Sequence, residues 1–103
     1  MELVKRKRVE IVADAVLLRS IRSRLDELGV AGYTVLPVQG GRGDDGEWSR
    51  EGQVSAASEM SMIVCLTSLE RSDAVIESIL PLLQRGRGVL SVSDVGVVRA
   101  DKF

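Results

Sequence analysis

QGGRGDDGEWSREGQVSAASE, residues 39–59, is the stretch that decides how this chain folds. It lies between two segments with strand character, YTVLPV (33–38) and MSMIVCLT (60–67). Hairpin connections usually take about two to five residues, and a structureless loop beyond roughly fifteen is functional or disordered. This one carries five glycines (40, 41, 43, 46 and 52) and, apart from Trp48, almost nothing to bury. It therefore predicts a long mobile loop held between two paired strands and ordered by something outside itself.

Toward the N-terminus, Arg8–Ala13 alternates and is β-branched, which predicts a first strand. Asp14 is placed as the N-cap of the helix AVLLRSIRSRLDELG, with Leu17, Leu18, Ile21, Leu25 and Leu28 on one stripe. Gly29 is the expected left-handed stop. Pro37 cannot donate to a ladder, so its strand belongs at an edge or stops pairing there. Toward the C-terminus, Ser68 caps LERSDAVIESILPLLQR, whose stripe is Val75, Ile76, Ile79, Leu80 and Leu83. Pro81 predicts a kink, or an end near Leu80 with a further turn. After Arg85-Gly86-Arg87-Gly88 comes a last strand, Val89–Val98.

The order is β-α-β-long loop-β-α-β. It predicts a single α+β domain over 1–103 with a ferredoxin-like βαββαβ fold, four antiparallel strands carrying both helices on one face. On the other face, Val12, Ile63, Cys65 and Val97 or Val98 are expected. An apolar open face invites association, and a homotrimer packed sheet against sheet is the expected assembly.

Composition narrows the function. At 103 residues, 45% hydrophobic and 3% aromatic, the core must be aliphatic. A formal charge of −1 argues against general affinity for nucleic acid or membranes. The basic run Lys5–Arg8 reads as a solvated strand end. No histidine and one cysteine exclude an intrachain disulfide, a His-based triad and a Cys/His zinc site within one chain. Cys65 reads as a small buried hydrophobe. No apolar run approaches the roughly eighteen residues of a membrane span, so a cytoplasmic protein without membrane insertion is expected.

Three groups could carry chemistry. Gln39-Gly40-Gly41-Arg42-Gly43 and Arg85-Gly86-Arg87-Gly88 are each glycine with arginine, suited to backbone N–H groups and a guanidinium meeting an anion. Neither a GxxxxGK[ST] loop nor a GxGxxG turn is present. Asp44, Asp45, Glu47, Glu51 and Glu59 outnumber Arg42 and Arg50 in the loop, but carboxylates on a mobile loop lack the held geometry that catalysis needs. Trp48, with Arg50 beside it, is placed to anchor a protein partner or the ordered loop.

VAGYTVLPVQGGRG resembles the second strand and loop start of the PII signal-transduction proteins. The element order and the terminal SDVGVVR extend that resemblance over essentially the whole chain. GYTVLPVQGGRGDDGEWSREG is closer to the PII-like branch associated with carboxysomes and bicarbonate transport than to the nitrogen-regulating branch. The loop has no modifiable Tyr, and the link lacks the Gly-Asp-Gly-Lys pattern. Uridylylation and 2-oxoglutarate binding with magnesium are therefore not carried over. The resemblance implies a non-catalytic homotrimeric sensor that binds an adenine nucleotide, ADP or AMP foremost, in clefts between subunits. It implies phosphates against Thr34, Gly40, Gly41 and Arg42 on one side and Gly86, Arg87 and Gly88 on the other. Val38 and Gln39 would line the cleft, with Arg99 a further contact. Bicarbonate is the implied second ligand, and a bicarbonate transporter or carboxysome component the implied partner. A small trimeric enzyme or metal-handling protein of similar fold, or a passive scaffold, is the alternative.

Overall fold

The chain is a computed structural model in which residues 2–43, 46–49 and 59–99 are described. Strand β1 (Val4–Asp14) runs through the sheet interior, pairing antiparallel with β5 (Met60–Thr67) on one side and β6 (Gly88–Val97) on the other. With β2 (Tyr33–Val38) the order is β2-β5-β1-β6, all antiparallel, the predicted ferredoxin-like sheet. β1 starts four residues earlier than alternation suggested. Its charged first half hides a strand that β6 pairs with from Val4↔Val97 onward, Lys7 bonding Asp94.

Helices α1 (Leu18–Glu27) and α2 (Leu69–Leu83) cover one face. Val9, Ile11 and Ala13 of β1 meet Ile63 and Cys65 of β5, Ile21 and Leu25 of α1, and Val75, Ile79 and Leu82 of α2. α1 ends as expected: Gly29 takes φ +71°, and the Gly29 and Val30 amides donate to the carbonyls of Asp26 and Leu25. Ser68 caps α2 by accepting from the Arg71 amide.

Four expectations need correction. Asp14 does not cap its helix; a 3-10 turn (Ala15–Leu17) intervenes, and the carboxylate is engaged elsewhere. α2 does not stop near Leu80 but continues through Pro81 to Leu83, because Pro81 and Glu77, whose carbonyl loses its usual donor, both lie on the exposed side. Leu80 is likewise exposed, and Leu82 takes its place in the core. Ile63 and Cys65 are not on the open face: they are 2% and 3% exposed beneath the helices. Their strand is apolar on both sides, so its own period cannot say which side goes in. The register with β1 decides, setting Ile63 opposite Ile11 and Cys65 opposite Val9.

The open face consequently carries Met62, Val64 and Leu66 of β5 with Val12 of β1, and more exposed Leu36 and Val89 at its margins. By the same register Val97 shares the side of Val12. Arg8 and Glu10 form an ion pair on this face, 3.0 Å between Nη1 and Oε2.

Burial pushes the Cys65 thiol up from 9.0 to about 11. Between those values the unfolded chain gives up the thiol proton while the folded chain keeps it. The contribution is intact below pH 9 and lost as pH climbs toward 11. In urea unfolding, stability should fall from pH 8 to pH 10.5 by about 1–2 kcal/mol more in the native chain than in Cys65→Ala. Alkylation at pH 8 should be slow when folded and rapid in denaturant.

Candidate functional site

β1 and β6 are antiparallel neighbours, so the end of one lies beside the start of the other: Ala13 pairs with Gly88. This brings Asp14 to the link between α2 and β6. Its side chain is only 9% exposed. A buried carboxylate must be paired and hydrogen-bonded, and this one accepts three times from one residue. The Arg87 backbone N–H donates to Oδ2 at 2.6 Å, and Nε and Nη2 donate to Oδ1 at 3.0 and 2.8 Å. The Asp14 amide returns a bond to the Arg87 carbonyl at 3.0 Å.

The glycines on either side are fitted to this contact. A Cβ on Gly86 would stand 2.7 Å from Asp14 Oδ2. One on Gly88 would meet Leu83 Cδ2 at 2.7 Å, the Val12 carbonyl oxygen at 3.1 Å and Ala13 Cβ at 3.2 Å. Close approach, rather than flexibility, demands glycine here.

The start of the long loop is not featureless. β3 (Gly40–Gly43) and β4 (Gly46–Ser49) form a two-stranded ribbon, with Gly41 opposite Trp48 and Arg42 opposite Glu47. Gly46, at φ +98°, adopts a turn conformation that glycine accommodates. Arg42 and Glu47 are bonded across the ribbon, each about three-quarters exposed. A surface pair like this contributes little and exchanges readily.

The ribbon and the link face each other across a recess of about 640 Å³. Val38, Gly40, Gly41 and Arg42 line it from the loop base, and Gly86, Arg87 and Gly88 from the link. Val12, Gly43, Gly46, Met60 and Val89 complete the wall. Gly43 belongs to the glycine–arginine stretch singled out from sequence; Val12, Gly46, Met60 and Val89 were not singled out as site residues, nor was Asp14. Topology could have supplied Asp14, because antiparallel β1 and β6 place it against the link.

Other expected residues lie elsewhere within one chain. Thr34 faces the open side of the sheet, in register with Val64. Gln39 is exposed between β2 and β3, outside the recess wall. Arg99 follows the far end of β6, roughly 30 Å from the link at the rise of a strand. It holds a left-handed φ of +66°, uncommon for an arginine. Trp48 is on β4, and Arg50 lies outside the described residues.

The chain matches the family model of the nitrogen regulatory protein P-II over residues 6–102. Among solved structures it is similar to CPII, a nitrogen regulatory PII-like protein from Thiomonas intermedia K12, bound to ADP, AMP and bicarbonate. Identity is 26% and the TM-score 0.90, covering 99% of this chain and 96% of that one. A CPII structure bound to ADP and bicarbonate gives 27% and 0.86, covering 99% and 97%. One bound to ADP, AMP and acetate gives 25% and 0.84, covering 100% and 98%. No curated protein sequence matches the chain.

Gly88→Ala should cost about 1–3 kcal/mol in denaturant unfolding, because a backbone oxygen and a Cβ must move as well as Leu83. Gly32→Ala, which meets nothing within 4 Å, should stay within about 0.5 kcal/mol of wild type.

Proposed function

The chain belongs to the nitrogen regulatory protein P-II family, and on that premise we propose a non-catalytic sensor of adenine nucleotide that signals by ordering its long loop. As a PII-like protein it is regulatory. The proposed ligand is ADP or AMP, with bicarbonate beside the phosphates. CPII, at 26% and 27% identity, is the protein whose structures hold those molecules. Acetate in a third CPII structure favours a small anion of carboxylate shape as the second ligand.

The observation that carries the proposal is the recess. It gathers loop base and link, the two glycine–arginine elements, around a volume of about 640 Å³. Phosphates would meet the backbone at Gly40, Gly41, Gly86 and Gly88, and the guanidinium groups of Arg42 and Arg87. An anion contacting Arg42 takes over from Glu47 and so acts on the ribbon that begins the loop. A ligand can shift a loop only through contacts made in one of its states, and this is such a contact.

The assembly proposed is a homotrimer with the apolar open face inward. Met62, Val64 and Leu66 make that face a reason to associate. Thr34, Gln39 and Arg99 would then reach nucleotide across a subunit boundary. The proposed partner is a protein of inorganic-carbon metabolism, such as a bicarbonate transporter or carboxysome component, captured through Trp48 and Arg50. The proposed setting is the cytoplasm; no helix among the described residues is long and apolar enough to cross a membrane.

Calorimetric titration with ADP, AMP and ATP, with and without bicarbonate, should give saturable binding, with ADP or AMP tightest. Arg42→Ala should weaken it by about tenfold while light scattering still reports a trimer. Loss of assembly instead, or no heat from any nucleotide, would overturn the proposal. Trp48→Ala should leave nucleotide affinity within about twofold and reduce partner capture.

A further inference from the structure

We propose that Asp14 is a positioning residue for nucleotide recognition, holding Arg87 with the open edge of its guanidinium toward the recess before ligand arrives. The inference rests on the nucleotide proposal above and adds a residue that does not itself touch the ligand. Asp14 lies behind the link: Gly86, Arg87 and Gly88 line the recess and Asp14 does not. The acid is 9% exposed and the base 37%, so the carboxylate sits inside and the guanidinium at the boundary.

Two consequences follow from the hydrogen bonds. The Arg87 backbone N–H is already given to Oδ2 at 2.6 Å, so it is not a donor for an outside anion. An internal carboxylate fills that part of the nest. The side chain, in contrast, spends only Nε and one Nη2 hydrogen on Oδ1. A guanidinium has five N–H donors in a fixed fork, and the Nη1 edge is left for a phosphate.

Freezing a long side chain is a cost that binding ordinarily pays. Here the pair with Asp14 has met it in the free protein. Exchange of Asp14 for a ligand phosphate is disfavoured, because it would strand a buried carboxylate. The ligand therefore adds to the pair. The same corner is tied to the returning limb of the loop, as the Ala15 amide donates to the Glu59 carbonyl at 2.9 Å.

The test is ADP calorimetry on Asp14→Asn, Arg87→Lys and the double variant, each checked for folding by a thermal melt. Asp14→Asn keeps the shape but sets an amide against the Arg87 donors; ADP affinity should fall by about three- to tenfold. In the Arg87→Lys background, where the fork is gone, the same substitution should change affinity by less than about twofold. Wild-type affinity in Asp14→Asn, or the same loss in both backgrounds, would overturn the proposal. If Asp14→Asn does not fold, Asp14→Ser takes its place in the same cycle: it removes the carboxylate, so undiminished affinity overturns the proposal, and a three- to tenfold loss that disappears in the Arg87→Lys background supports it. Absence of ADP and AMP binding in the wild-type chain would instead overturn the nucleotide proposal, and this one with it.

Discussion

A carboxylate buried at the end of a strand must be answered from nearby, and Asp14 is answered entirely by Arg87. That requirement shapes everything within reach. The link must present its amide inward at Arg87 and must leave room for the carboxylate, which is why residue 86 has no side chain. The strand after it must begin close against β1, which is why residue 88 has none either. One wall of the recess is thus fixed by a contact made behind it. Truncating Arg87 alone would leave the acid unpaired, at a cost approaching about 3–5 kcal/mol in the fully buried limit.

The two arginines of the recess are held in opposite ways. Arg42 leans on Glu47 across an exposed ribbon, a pair that water and salt already weaken. Arg87 is tied through backbone and side chain to a buried acid. The first can change partners at little cost, and the second keeps its partner. Each cation has an acid of its own, so capture of an anion there depends on donor geometry more than on a surplus of positive charge. The near-neutral chain, at −1 overall, is consistent with that.

Most of the fold was legible because its signals are local. Gly29 and Ser68 end and begin helices by their own chemistry, and the leucine stripe of α1 names its buried side. The recess was legible in outline, since glycines with arginine occur at just two links and both face it. What escaped depends on tertiary placement. Asp14 looks like a cap because acids precede helices, yet a partner 73 residues away in sequence outcompetes the local amides. Pro81 looks like a breaker, yet on the outer side of α2 the lost bond is exposed to solvent. The ribbon after Gly40 lacks apolar alternation and so gives no strand signal.

The double-sided apolar character of β5 has a consequence for how the chain reaches its fold. Slipping β5 by one residue would trade Ile63 and Cys65 for Met62 and Val64, a swap that oil-like transfer barely penalises. The same error in β1 would drive Arg8 or Glu10 beneath the helices. Proofreading of the central pairing therefore falls to β1, the strand made first and flanked on both sides. A mutation that greased Glu10 could leave the finished protein intact and still multiply misaligned intermediates on the way to it.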